Sequence, residues 1–387
     1  MRTWIQHGTV ITPGQTIVDS VVIIEGGRVS AIEPRSQLTM VPTATEIIDA
    51  NGLLVMPGLI DIHVHGGAGS DTMDATPNAL EEMSTFFLQH GVTSFLPTTA
   101  SQSIAAITRA VENAAQNLAR CTGAHPLGIH LEGPYLSAAY RGAHPLEWLH
   151  NPEPAEYHRW LECGVVRLMV LAPELPGSLE LIREGVSQGV HFSAGHTQAS
   201  PLQIQAAADA GLTLSTHTFN GMAGLHHRDL GTVGALLADD RIFCEIIADG
   251  THVHPAVLKM LLKIKGLERT LLVSDAIRAA GMTDGEYDLV GQSISVRDGV
   301  ARTSAGGLAG STLSLNEAVS NIQKYTGIPL NQAVQMATLT PAAALGLVGI
   351  KGEICPGADA DILIADTELN VKAVLIGGKI VYKSDDY

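Results

Sequence analysis

The stretch that decides how this chain is read is "PGLIDIHVHGG", residues 57–67. Apolar residues surround the single Asp61, two histidines flank Val64, and glycines follow. A short run this apolar reads as a strand buried on both faces, the kind a parallel sheet covered by helices requires. On a strand, residues i and i+2 point to the same side, so His63 and His65 leave its end together and both rings can reach one ion.

Working outward, similar apolar runs recur at 92–97 (VTSFLP), 127–131 (LGIHL), 165–171 (VVRLMVL), 190–194 (VHFSA), 212–216 (LTLST), 243–248 (FCEIIA) and 270–274 (TLLVS). Helical segments such as "PNALEEMSTFFLQHG", "IAAITRAVENAAQNLA" and "SPLQIQAAADAG" lie between them. Eight strands alternating with helices predict a (β/α)8 TIM-type barrel. Segment 276–312 breaks the alternation and reads as an excursion after the last strand. Both ends of the chain are β-rich, with "SVVIIEGG" and "NVKAVLIGG" carrying Gly-Gly hairpin turns. The termini are therefore expected to meet in a small β-sandwich domain, residues 1–55 with 349–387, beside a catalytic barrel over residues 56–348.

A barrel of this kind builds its site at the C-terminal ends of its strands. There the sequence places His63 and His65, Glu132 in "HLEGP", His196 in "SAGH", His217 in "STHTFN", Asp249 and His252 in "ADGTH", and Asp275 in "VSDA". Each one alone is compatible with a core or surface role, and Asp275 alone with a helix N-cap. Independent structural histidines have no reason to follow successive strands, so the joint pattern points to divalent cations. Zinc is expected first, with iron, manganese or cobalt as alternatives and one or two ions per chain. His130 is expected on the same side as Glu132, as a supporting or core residue.

Composition narrows the partners. The 387 residues are 45% hydrophobic and carry a net charge of −16, which repels nucleic acid and anionic membranes. An anionic ligand then needs a local cationic pocket. Four scattered cysteines without a CxxC motif suit a reducing compartment. The N-terminal "MRTWIQHGTVITPG" has no signal-peptide core, and no run approaches the ~20 apolar residues of a membrane span. The expected location is the cytoplasm, with no membrane and no nucleic-acid partner.

"PGLIDIHVHG" resembles the opening signature of the amidohydrolase superfamily. "GIHLEGPYLSAAYRGAHP", "SAGHTQA", "THTFNGM", "ADGTHVHP", "LLVSDA" and "LAGSTLSLNEAV" are similar, in order, to its N-acetylglucosamine-6-phosphate deacetylase family. That resemblance implies hydrolysis of an N-acetyl amide on a sugar phosphate by a homodimer. It assigns Glu132, His196 and His217 as the main metal ligands and Asp275 as the catalytic acid/base. It implies phosphate contacts from His252 and Arg228, the latter reaching the neighbouring subunit's site, and main-chain contacts from Asn220 and Gly221. The presence of His63 and His65 matches the two-metal members. Asn220-Gly221-Met222 stands where the family pattern has Asn-Ala-Met. His144, on the loop after strand three, is open between a contact to the sugar or carbonyl and a loop-surface role. Two alternatives remain at this level: the galactosamine epimer as substrate, and a cyclic-amide hydrolase. The second is disfavoured because strand four offers no lysine to bridge two metals. A non-catalytic scaffold would be expected to have lost ligands.

Overall fold

The structure, a computed structural model, describes residues 2–38 and 40–387. All eight anticipated barrel strands are present: Leu59–Val64, Val92–Thr99, Ile129–Glu132, Val166–Leu171, His191–Ala194, Leu214–Ser215, Phe243–Ile246 and Thr270–Leu272. They run parallel and pair in chain order. The barrel closes just beyond the eighth strand, where Val64 bridges Ala276, Asp275 N donates to His63 O at 2.9 Å, and His65 N donates to Ala276 O at 2.8 Å. At the same seam the Asp61 carboxyl accepts Ser274 N at 3.3 Å. Burial pushes the Asp61 pKa up to about 7 against the opposing hydrogen bonds from Ser274 and His63.

The helices begin where the sequence supplies caps. Thr76 Oγ1 accepts Ala79 N and Pro77 occupies the first turn of Pro77–Gln89, while Ser200 and Gln203 form a capping box on Pro201–Ala210. Their apolar faces, for example Leu80, Met83 and Phe87, join the core that fills the space between helices and strands.

The two ends of the chain form one eight-stranded sheet that includes Arg2–Thr12, Gln15–Glu25, Arg28–Pro34, Ile362–Ala365, Val371–Ile376 and Lys379–Lys383. The strand Leu54–Pro57 also belongs to it, pairing with Ile362–Ala365, so the sheet runs two residues past the expected division at 55/56. The sheet folds over itself: Val29 N donates to Ala358 O and Ala360 N to Gly27 O, both at 2.9 Å. Strand alternation divides its side chains. Val55, Ile362 and Ile364 enter the sheet's own core, whereas Leu54, Met56, Leu363 and Ala365 pack on the barrel.

Residues 276–312 hold a three-stranded antiparallel sheet, Gly285–Leu289, Gln292–Arg297 and Val300–Thr303. Its small core joins Leu289, Val290, Ile294 and Val296 to Ala100 and Ile277. This lays the first hairpin over the mouth of the barrel, where Gln292 Nε2 donates to Ala143 O at 2.6 Å.

Candidate metal centre and active site

Glu132 ends the third barrel strand and is the hub of the site. Its Oε1 lies 3.2 Å from His196 Nε2 and 3.1 Å from His217 Nε2. Its Oε2 lies 3.1 Å from His65 Nε2, 3.4 Å from His144 Nε2 and 3.6 Å from His63 Nε2. Asp275 completes the cluster, with Oδ1 3.3 Å from His65 Nε2 and 3.5 Å from His63 Nε2. All seven residues are buried.

Hydrogen bonds on the far ring nitrogens fix which atoms face inward. His196 Nδ1–H donates to Tyr140 O at 2.9 Å and His63 Nδ1–H donates to Glu245 Oε2 at 3.1 Å. Each ring then turns an Nε2 lone pair toward carboxylate oxygens. Among the described residues, His63 Nε2 has no hydrogen-bond partner. Lone pairs facing anionic oxygens repel unless a cation stands between them, so this donor set fits one or two divalent ions. Independently of the tautomers, the two carboxylates make the local potential negative and favour positive charge here. Burial pushes the His65 pKa down, but Asp275 and Glu132 outweigh it and raise the value to about 9. Burial likewise opposes charge on Glu132, yet the imidazoles, His63 first, hold its carboxyl well below the ordinary range. Asp275 is lowered for the same reason, with His63 and His65 overcoming its burial. His144 shows the opposite balance: burial dominates and takes its pKa down to about 4.

The backbone is strained at this centre. His196, His217 and Asp275 have φ of +47°, +28° and +51°, a region that costs a non-glycine residue about 1–3 kcal/mol. Gly142 and Gly221 also have positive φ, and a Cβ on either would meet the His196 ring at 2.9 Å. Gly221 is held rather than loose: its carbonyl accepts Thr197 N at 3.0 Å, and Ala223 N donates back to Thr197 O at 3.2 Å.

A cavity of about 320 Å³ opens above the cluster. His65, Glu132, His144, His196, His217 and Asp275 form one part of its wall, Asn220, Gly221 and His252 another, and Leu289, Val290, Thr303 and Leu308 of the 276–312 excursion a third. His252 is oriented by Asp249, whose Oδ2 accepts its Nδ1–H at 2.6 Å. Burial works against ionisation of Asp249, but this bond and the His252 charge keep its pKa below the ordinary value.

Of the residues anticipated from the sequence, His63 and Asp249 lie behind the cavity wall, each held against a residue of the cluster or its rim, and Arg228 lies away from it. Arg228 is exposed on the loop before Gly231–Ala238, its Nη1 2.8 Å from His227 Nε2. The loop-surface reading of His144 is overturned. The loop folds inward, Ser101 N donates to His144 Nδ1 at 3.2 Å, and the ring stacks edge-on with His196 at 4.6 Å. His130 is buried behind the cluster, edge-on to His63 at 4.8 Å, with Nδ1 3.0 Å from Ile62 O. Strand four contributes no side chain to the cavity wall. Sequence reasoning missed Glu245, whose only signal was a lone carboxylate in an apolar strand. It also missed that the excursion lines the cavity, since its sequence marks only a break in the alternation.

A parallel barrel with histidines and carboxylates gathered at one end defines a class, and the comparison with known sequences identifies it. Residues 54–381 match the amidohydrolase family, and the chain belongs to that family. Within it, the chain is 42% identical to the N-acetylgalactosamine-6-phosphate deacetylase of Escherichia coli O157:H7, over 92% of this chain and 93% of the other. It is 39% identical to the N-acetylglucosamine-6-phosphate deacetylase of Vibrio furnissii, over 94% and 91%. The fold superposes on the N-acetylglucosamine-6-phosphate deacetylase of Pasteurella multocida with a TM-score of 0.94 at 29% identity, covering 99% of this chain and all of that one. The family expected from the sequence motifs is thus the one found.

Proposed function

We propose that this protein hydrolyses the N-acetyl group of N-acetylglucosamine 6-phosphate, releasing acetate and glucosamine 6-phosphate. The observation that carries the reading is the convergence of five histidines on Glu132, with Asp275 against two of them, beside a cavity whose wall also holds His252 and Asn220. Glu132, His196 and His217 would hold one divalent ion. His63 and His65 would hold a second, with Glu132 between them. Zinc suits this mixture of imidazole and carboxylate. When bound, such an ion polarises the amide carbonyl and acidifies water.

The chain's own residues do the rest. Asp275, held ionised by the surrounding imidazoles, takes a proton from the attacking water. As the tetrahedral carbon collapses, it delivers that proton to the departing amine nitrogen. His144 lies against the same Glu132 oxygen as His65, where it can donate to the acyl oxygen. His252 and the Asn220-Gly221 main chain receive the phosphate end. Arg228, outside its own cavity, serves the neighbouring subunit of a homodimer. The division into a terminal sheet domain and a catalytic barrel belongs to this reading. So does a cytoplasmic location, which the free thiols Cys121, Cys163, Cys244 and Cys355 support.

A second reading, the galactosamine epimer, is favoured by the name of the relative with 42% identity. Deacetylation assays on both epimers, with and without the 6-phosphate, decide between them. Preference for phosphorylated N-acetylglucosamine supports the first reading, preference for the galacto epimer supports the second, and release of acetate from neither overturns both.

A further inference from the structure

Glu245 sits in the seventh barrel strand, Phe243–Ile246, where every residue is buried. Its side chain is fully inaccessible, and an unpaired carboxyl there would be costly. Two donors meet the same oxygen. His63 Nδ1–H and the main-chain N–H of His217 each lie 3.1 Å from Oε2. The main chain of Glu245 adds a third link, its carbonyl accepting Thr218 N at 2.8 Å.

We propose that Glu245 is a positioning residue for both halves of the metal centre. Through one oxygen it turns His63 Nε2 toward Glu132 and Asp275, and it holds the main chain of His217 in its left-handed conformation. The inference rests on the cation-binding reading above.

Each half of the proposal has a physical ground. An imidazole binds a metal through whichever nitrogen its other nitrogen's hydrogen bond leaves free. With Nδ1–H given to Glu245, the free nitrogen of His63 is Nε2, which stands 3.6 Å from Glu132 Oε2 and 3.5 Å from Asp275 Oδ1. His217 needs a different kind of help. At φ +28° its backbone is strained, and it persists there only if neighbouring bonds over-determine it. The bonds from His217 N and Thr218 N to Glu245 supply that constraint from the adjacent strand. Glu245 itself does not line the cavity, so it acts through these two residues and not on substrate.

The test measures metal affinity in the full chain by chelator competition with zinc. Glu245→Ala should bind zinc about 10- to 100-fold more weakly, the usual effect of removing a carboxylate behind a metal-binding imidazole. Glu245→Gln keeps an oxygen able to accept both bonds, and its affinity should fall between that of the Ala variant and the parent. Unchanged affinity in Glu245→Ala overturns the proposal. If that variant does not fold, the Gln substitution is compared in the parent and in His63→Asn. A weaker effect in the His63→Asn background supports action through His63, and equal effects in both overturn it. Failure of the parent to bind any divalent cation would instead sink the metal-centre reading, which keeps the two failures distinct.

Discussion

His196 Nε2 and His217 Nε2 stand 3.1 Å apart, brought from the ends of neighbouring strands onto a single oxygen of Glu132. Both residues have positive φ, so the fold accepts backbone strain to bring two imidazole nitrogens this close. The His196 nitrogen carries a lone pair, because its ring proton is committed to Tyr140. The arrangement suits a cation.

Removing divalent metal with a chelator should abolish hydrolysis, and adding zinc back should restore it. Replacing both His63 and His65 with Asn should lower the metal content by about one ion per chain, because Glu132, His196 and His217 would still hold the other. Metal analysis of the purified protein checks this, and an unchanged stoichiometry would reduce the pair to a supporting role.

Asp275→Asn should keep its metal but lose about 10²–10⁴ in kcat, the range for loss of a general acid–base group. Near-normal turnover would remove Asp275 from proton transfer.

Arg228→Met should raise KM for the phosphorylated substrate about ten- to a hundredfold, the value of a charge-assisted contact. Activity on the unphosphorylated sugar should barely change. Because Arg228 does not line its own cavity, its contact is expected across a dimer. Exchanging subunits between Arg228→Met and Asp275→Asn proteins should restore part of the phosphosugar activity. No recovery in verified mixed dimers would mean that Arg228 does not act in the partner's site.

Leu289, which pairs with Gln292 at the end of the hairpin over the barrel mouth, lines the cavity. Leu289→Ala should leave metal content intact and raise KM about tenfold, as expected for one lost apolar contact in a pocket. Equal KM values would show that the hairpin does not cover bound substrate.

The pH dependence of stability has a marker far from the site. Lys351 Nζ lies 2.6 Å from Asp361 Oδ2 and 3.2 Å from Asp359 Oδ2. Burial works against its charge, but the two carboxylates outweigh it and raise its pKa above 10.5. A folded pKa above the unfolded one means the contribution is complete below pH 10.5 and is lost as pH rises through the folded value. Lys351→Met should therefore lower the thermal midpoint at pH 8, and the gap from the parent should narrow above about pH 10.5. A constant gap would show that packing, not charge, is what Lys351 contributes.

The sequence by itself determined the barrel and made most of its candidate site legible. Eight apolar runs bounded by helices admit few arrangements, and each became a strand because local patterning and burial on both faces agree. His63 and His65 were legible because their relation is local, two residues on one strand face. Glu132, His196, His217 and Asp275 were legible because barrel geometry sends every strand end to the same place. Only the tertiary structure decided what depends on contacts distant in sequence. Glu245 is 182 residues from His63, and nothing near it in the chain announces that partner. His144 sits on a loop whose inward course is set by packing against Ser101 and His196. The excursion over 276–312 becomes a cavity wall because its apolar side meets Ala100, with Met73 and Ala143 packed against the same cluster. Periodicity records which face of an element is buried, but the partner across that face is chosen by the folded chain as a whole.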